Sequence, residues 1–577
     1  VTATHVISTA GHVDHGKSTL VKALTGTDPD RFTEEKERGL TIDLGFAAAA
    51  LPSGRTIAIV DVPGHIRFLK NMLAGVGAVD ATLFVVAAPE GWKPQSEEHL
   101  RILELLDTSA GVVALTQIDL VDDDLAELAT LDIEEHVVGT FLEGAPIIPV
   151  DSISGRGIDD LRAALDALVD STPQAADLGR PRLWIDRSFA PKGTGTVVTG
   201  TLTGGTVSVD DALTIQPLGT EVRVRAIQSL HQDVETIAPG NRVALNLGGI
   251  AHHDVERGHV LVDRSQWHLT RTFDASLRVL DGLDHAISRR GAHVVYLGSG
   301  EHPAALRVLG PEAINPGEEG FVRLRLPAVV PLLPGDRFVL RESGRGETIG
   351  GGEVLDIDPI VRASRARPDR SVDRVVAERG WIDATELRLL TGETREPMVG
   401  RWVVEPDVLA SETADLAERV AASGAVGLDL ASLDERQRAV VAMLDDVAID
   451  AGRAKPQGAA ALGADHPFVA ALDAAPFAPP KPADLDIDRS EVRELVRQGL
   501  VIEQEGLFFS ASAVEQAALT IAEMLAAKPD GVTVAEVREA FGTSRKFAMP
   551  LLARLDETGV TRRRDDVRIA GPRLPEL

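Results

Sequence analysis

Cysteine is absent from this chain, tyrosine occurs once, and aromatic residues fill only 4% of its 577 positions. Without thiols, disulfide staples and cysteine–metal centres are excluded, and the composition suits a reducing compartment. With so few rings, the cores must be built from aliphatic side chains, and a hydrophobic content of 44% supplies enough of them. No apolar run approaches the roughly 20 residues that span a bilayer, so no membrane contact is expected. Positive charge is also in deficit: 59 Lys and Arg face 88 Asp and Glu, a net charge of -29. Such a chain repels polyanions at long range, so nucleic acid can be held only by local basic patches. The first residues run directly into a strand and a glycine-rich loop, unlike a secretory signal peptide. The expectation is a cytoplasmic, monomeric protein of about four domains.

What is present begins with Gly11-His12-Val13-Asp14-His15-Gly16-Lys17-Ser18, which follows the β-branched run Val6-Ile7-Ser8-Thr9. The pattern is G-x-x-x-x-G-K-[ST]. Two glycines let the backbone wrap a phosphate chain, so that the amides from Asp14 through Gly16 to Ser18 and Thr19 turn inward. Lys17 brings positive charge to the β and γ phosphates, and Ser18 offers a hydroxyl to Mg²⁺. A helix starting near Lys17 turns its positive dipole end toward the anion.

Four further segments follow in the order that a guanine-nucleotide switch requires. Asp61-Val62-Pro63-Gly64 leaves the strand Ile57–Val60. Asp61 can hold Mg²⁺ through water, and the Gly64 amide can sense the γ-phosphate. Upstream, Arg38-Gly39-Leu40-Thr41-Ile42 supplies Thr41, a Mg²⁺ ligand for the triphosphate state alone. Thr116-Gln117-Ile118-Asp119 puts Asp119 where it can accept from guanine N1 and N2, a donor pair that adenine lacks. Ser152, after Ile147-Ile148-Pro149-Val150, offers a backbone amide to guanine O6. His65 directly follows Pro63-Gly64, where a water attacking the γ-phosphate must be oriented.

Residues 1–172 alternate buried strands with helices and read as a doubly wound α/β GTP-binding domain. After a break near Pro173 to Pro181 the texture becomes all-β. Short Val/Thr/Leu runs punctuated by glycine predict two barrels, 180–265 and 268–360. From 365 to 577 the chain turns helical. Two stretches, Glu491–Phe509 and Pro550–Ile569, both read as helix, glycine cap and hairpin, the pattern of a winged helix.

Together the phosphate loop, Arg38–Ile42 and Asp61–His65 resemble the translational GTPases. The two barrels resemble the tRNA-carrying arrangement. The whole layout, with its helical tail, is similar to the selenocysteine-specific elongation factor (SelB) family. That resemblance implies four winged-helix modules in 365–577, the last at about 511–577 and reading an mRNA hairpin. It implies GTP/GDP and Mg²⁺ as cofactors, with selenocysteinyl-tRNA, the hairpin and the ribosome as partners. It implies a hydrophobic gate of Val13 and Leu40 beside His65. It also implies an aminoacyl pocket of Asp186, Arg187, His231 and Arg242. A cationic pocket would prefer the selenolate, anionic at neutral pH, over neutral serine. One departure stands out: the family's Asn-Lys-x-Asp is here Thr116-Gln117-Ile118-Asp119, so the lysine over the base is missing and Thr116 is expected to tie the loop less well than asparagine.

At the far end, residues 536–568 hold eight Lys/Arg against six Asp/Glu. Arg545 and Lys546 are expected at the start of a recognition helix, and Arg562, Arg563 and Arg564 on the wing, where they could grip an RNA backbone. The alternatives are another tRNA-carrying or sulfate-activation GTPase, or a nucleotide-gated regulator whose winged helices bind DNA.

Overall fold

A computed structural model describes residues 5–30, 35, 41–77, 79, 81–459 and 462–577. The chain divides into two compact units, 1–396 and 397–577.

The first unit opens with a six-stranded sheet of β1 (His5–Ala10), β2 (Gly45–Ala50), β3 (Thr56–Asp61), β4 (Ala81–Ala87), β5 (Gly111–Thr116) and β6 (Ile147–Pro149), in the order β2-β3-β1-β4-β5-β6. All neighbours are parallel except β2 and β3. The short loop between β2 and β3 can close only an antiparallel pair, whereas the parallel strands are joined by helical crossovers. β1, β4 and β5 are buried along their whole length, which explains their unbroken apolar runs.

Successive side chains on these strands face opposite layers. Ile7, Leu83 and Val85 pack with Leu20 and Leu24 of α1 (Lys17–Thr25) and with Leu161, Leu165 and Val169 of the helix Ile158–Ser171. Val6, Phe84 and Val86 pack on the other face with the helices Leu69–Val76, Pro94–Leu105 and Asp123–His136. The motif-bearing loops therefore leave the carboxyl ends of β1, β3, β5 and β6, the edge where doubly wound sheets bind ligands.

A first barrel follows. Ala212–Gln216 pairs with both Val260–Val262 and Thr220–Ser229, which closes the sheet. Burial along Thr220–Ser229 alternates and then slips by one residue at the bulge between Val224 and Ala226. The second barrel is a closed ring of six strands from Leu269–Val279 to Glu347–Asp356.

The second unit consists of helices and short hairpins. Both sequence echoes form a helix followed by an antiparallel hairpin: Arg489–Arg497 with Val501–Gln504 and Leu507–Ser510, and Arg545–Thr558 with Thr561–Arg564 and Val567–Ala570. In the last helix Ala548, Leu551, Leu552 and Leu555 are buried, an i, i+3, i+4, i+7 stripe. Gly559 ends it in the left-handed region. With the helices Ala511–Ala527 and Val534–Ala540 and a three-stranded sheet, this segment is a winged helix. Among the described residues, no helix is long and apolar enough to cross a membrane.

Candidate functional sites

The phosphate loop turns on two glycines at positive φ. Gly11 has φ 128°, and a β-carbon there would collide with the Val85 carbonyl. Gly16, at φ 81°, precedes α1 in the left-handed conformation. Lys17 is buried, and its Nζ donates to the carbonyls of Gly11 (3.0 Å) and His12 (2.6 Å). Burial lowers its pKa to about 8. Thr19 follows in the first turn of α1.

The three expected Mg²⁺ ligands come together. Ser18 Oγ lies 2.7 Å from both the Asp61 carboxylate and Thr41 Oγ1. Asp61 also accepts from Thr9 Oγ1 at 2.8 Å. Its carboxyl is buried, and burial pushes its pKa up to about 6 against the lowering pull of its hydrogen bonds and of the Lys17 charge. An all-oxygen set with an under-compensated buried carboxylate fits a hard divalent cation such as Mg²⁺. Asp30 joins this set by accepting from Thr41 Oγ1 at 2.9 Å; the sequence did not mark it, because it lies well before Thr41 in a polar stretch.

Two histidines fix the loop without adding charge. His99 Nδ1 accepts from the Gly11 amide (3.1 Å), and burial lowers its pKa to about 3. His15 Nδ1 donates to the Val85 carbonyl (3.2 Å), and burial lowers its pKa to about 4. Both stay neutral at physiological pH, which leaves Lys17 as the cation of the loop. His99 sits in an ordinary amphipathic helix, and only the sheet order brings it here.

Gly64 lies against the loop: a β-carbon on it would come within 2.6 Å of the Val13 amide nitrogen. Val13 in turn donates to Gln95 Oε1 at 3.2 Å. His65 is half-buried, its Nδ1 accepts from the Arg67 amide at 3.1 Å, and its ring lies 6.0 Å from that of Phe68. Leu40, the other expected gate residue, lies outside the described residues, as do Arg38 and Gly39.

At the base end the departed motif keeps its ties to the phosphate loop. Thr116 Oγ1 donates to the His15 carbonyl at 2.7 Å, and Gln117 Nε2 donates to the Asp14 carbonyl at 3.0 Å. A hydroxyl and an amide thus both reach the loop. Asp119 is partly exposed and accepts from Ser154 Oγ (2.9 Å) and Arg156 Nη1 (3.4 Å). Asp151 shapes the loop carrying Ser152: its carboxylate accepts from the Ser154 amide at 2.6 Å, the main reason its pKa is lowered.

A second site lies where the first barrel meets β2 and β3. A cavity of about 210 Å³ is lined by Arg187, Arg242, His231 and Thr199 from the barrel and by Phe46 and Ile59 from the sheet. Asp186 is buried, and its carboxylate forms a two-point ion pair with Arg242, with Nη2 to Oδ1 at 2.9 Å. The carboxylate therefore orients Arg242 and does not line the cavity. Arg187 pairs instead with the Leu44 carbonyl (2.5 Å) and Asp43 (3.5 Å). Both guanidinium groups face Phe46, with ring distances of 4.9 Å for Arg187 and 3.7 Å for Arg242. His231, at φ 62°, is exposed at the rim.

In the second unit Arg545 and Lys546 occupy the first turn of the helix Arg545–Thr558, and Arg562, Arg563 and Arg564 lie on the hairpin strand Thr561–Arg564; all five are exposed. Arg568, one of the basic residues of this stretch, is buried and pairs with Asp556 at 3.3 Å. Lys546 borders a groove of about 1140 Å³ whose walls include Arg489, Arg493 and Phe508.

Four family models match this architecture. They are the elongation factor Tu GTP binding domain (residues 3–174), elongation factor Tu domain 2 (195–262), the selenocysteine-specific elongation factor beta-barrel domain (282–360) and the elongation factor SelB winged helix (523–570). A selenocysteine-specific elongation factor from Desulfomicrobium baculatum is 36% identical over 403 residues, 67% of this chain. The match spans 63% of that relative's own length, just under two thirds. One from Methanocaldococcus jannaschii is 32% identical over 439 residues, covering 71% of this chain and 92% of the relative. The crystal structure of a bacterial selenocysteine-specific elongation factor, EF-Sec, superposes with a TM-score of 0.70 at 26% identity, over 98% of this chain and 99% of that one. Agreement in sequence with these selenocysteine-specific factors over two thirds of the chain, and in fold from the phosphate loop to the last winged helix, means that the chain belongs to the selenocysteine-specific elongation factor family.

Proposed function

We propose that this protein is a GTPase that carries selenocysteinyl-tRNA to the ribosome at recoded UGA codons while its last winged helix holds an mRNA hairpin. The observation that carries this reading is the cavity in which Arg187, Arg242 and His231 converge, on a chain of this family. Two guanidinium groups would stabilise a selenolate, whereas a neutral serine hydroxyl offers no charge to complement them. Binding is expected to divide as 1–172 for GTP, 180–265 for the aminoacyl end, 268–360 as the second barrel, and 365–577 as four winged-helix modules.

The amides of the phosphate loop and Lys17 hold the triphosphate, and Asp119 and the Ser152 amide read guanine. Ser18, Thr41 and Asp61 would hold Mg²⁺, which when bound neutralises phosphate charge. His65 has Nδ1 engaged by the Arg67 amide, so Nε2 is the nitrogen that orients a water toward the γ-phosphate. In-line attack of that water breaks the bond between the γ-phosphorus and its bridging oxygen and yields GDP and phosphate. Gly64 and Thr41 then no longer meet a γ-phosphate, the switch segments relax, and the tRNA is released. Arg545, Lys546 and Arg562 to Arg564 grip the hairpin backbone.

The test is equilibrium binding of the GTP-loaded protein to selenocysteinyl-tRNA and to seryl-tRNA on the same tRNA body. The expected result is at least about a tenfold preference for the selenocysteinyl form, abolished when Arg187 and Arg242 are both replaced by Ala. Equal binding of the two would overturn the reading.

A further inference from the structure

The segment from Thr41 to Ala48 touches both sites. Thr41 is in the hydroxyl–carboxylate set around Ser18 and Asp61. The amides of Ile42 and Asp43 both donate to Glu35 Oε1 at 3.1 Å, and the Ile42 carbonyl accepts from Asn71 Nδ2 at 2.6 Å. The Leu44 carbonyl accepts from Arg187, and Phe46 to Ala48 form a wall of the cavity. A single short stretch thus runs from the nucleotide switch to the aminoacyl pocket.

Arg257, from the far end of the first barrel, fastens this stretch. Its Nη2 donates to Asp43 Oδ1 at 2.6 Å, its Nη1 to Asn71 Oδ1 at 2.7 Å, and its Nε to the Asp186 carbonyl at 2.9 Å. One planar group therefore joins the segment after Thr41, the helix after Gly64, and the backbone beside the pocket arginines. Asp43 receives Arg257 on one oxygen and Arg187 on the other (3.5 Å). The carboxylate is a shared partner: any shift of Asp43 changes what holds Arg187.

We infer that Arg257 and Asp43 form a latch that makes the shape of the aminoacyl pocket depend on the bound nucleotide. This rests on the proposed nucleotide and cargo sites and adds the coupling between them. Arg257 is a positioning residue: it lines neither the cavity nor the phosphate loop. The fixed fork of a guanidinium can satisfy three partners at set angles, whereas an ammonium would reach them only as a point charge, so Lys is expected to rescue partially. Linkage requires reciprocity: if GTP reshapes the pocket through the latch, cargo must favour GTP by the same factor.

Because the chain has no cysteine, Ala244→Cys places a single thiol in the cavity wall. The full chain carrying it is loaded with GDP or with a non-hydrolysable GTP analogue, and the rate of thiol modification is measured. A difference of at least about threefold between the nucleotides is expected. Adding Arg257→Met should abolish that difference while nucleotide affinity stays within about twofold, and Arg257→Lys should restore part of it. Persistence of the difference with Arg257→Met, or its absence without it, overturns the latch. The same variants are then assayed for tRNA binding. A nucleotide-dependent thiol rate in a protein that ignores selenocysteinyl-tRNA would sink the proposed cargo and leave the latch standing. Selenocysteinyl-tRNA affinity that is GTP-dependent and unchanged by Arg257→Met would do the reverse.

Discussion

Asp61 and Lys17 at the phosphate site are buried, whereas Arg545, Lys546 and Arg562 to Arg564 on the last winged helix are exposed. The buried pair sits among fixed partners at 2.6–3.0 Å, and burial moves both pKa values toward the neutral form. A charged ligand completes such a site, since it supplies counter-charge where water has been removed. The exposed cluster faces water and has Asp565 and Asp566 beside it, so its attraction for a polyanion is screened by salt and grows by small increments. On the proposed function, one region would work through a few strong interactions at set geometry and the other through the sum of weak ones.

Lys17 is where this difference should show most. If Lys17 holds the phosphates as proposed, Lys17→Ala removes charge-assisted bonds each worth about 1.5–3 kcal/mol, and GTP affinity should fall by roughly a hundredfold or more in titration with a fluorescent analogue. An affinity within a few-fold of the parent would mean that the buried lysine is structural. His65→Ala separates chemistry from binding at the same site: ribosome-stimulated hydrolysis should slow by at least about tenfold, with GTP affinity unchanged. Parent-like turnover would remove His65 from the mechanism.

The exposed region should respond by degrees. Replacing Arg545 and Lys546 by Glu in the full chain should weaken hairpin binding about tenfold or more at low salt. It should also flatten the plot of log affinity against log salt by about 0.7 for each phosphate that the tail no longer neutralises. An unchanged salt slope would place the RNA elsewhere in the second unit. The smallest effect concerns pH. The free Asp61 carboxyl takes up a proton as pH falls through about 6, and a protonated group offers a cation no charge. Mg²⁺-dependent stimulation of GTP binding should therefore decline below about pH 6, by up to about tenfold per unit, and Asp61→Asn should remove that dependence.

The motifs legible in the sequence are those whose parts are close along the chain. Gly11, Gly16, Lys17 and Ser18 all belong to one short loop, and their conformational demands follow from residue type alone. Unbroken apolar runs marked the parallel sheet, and glycine-punctuated runs marked the barrels. The pairings at the cavity were not legible. Arg187 adjoins Asp186 in sequence, yet Asp186 pairs with Arg242 across the barrel and Arg187 with Asp43 from another domain. Asp186 lies in the break between the strands Arg182–Trp184 and Arg187–Phe189, so its side chain and that of Arg187 meet different partners. Arg568 teaches the same: it counts as basic in the sequence, but its charge is taken up by Asp556 of the preceding helix.

Local spacing, periodicity and side-chain chemistry were enough to mark a phosphate-loop GTPase domain, two barrels and a winged-helix end. Three roles came from the folded chain alone: His99 supports the phosphate loop, Asp30 joins Ser18 and Thr41, and Arg257 fastens the segment between the two sites. Those roles depend on which strands lie side by side and on where the first barrel rests against the sheet. Such interactions join residues far apart along the chain, and no local pattern encodes them.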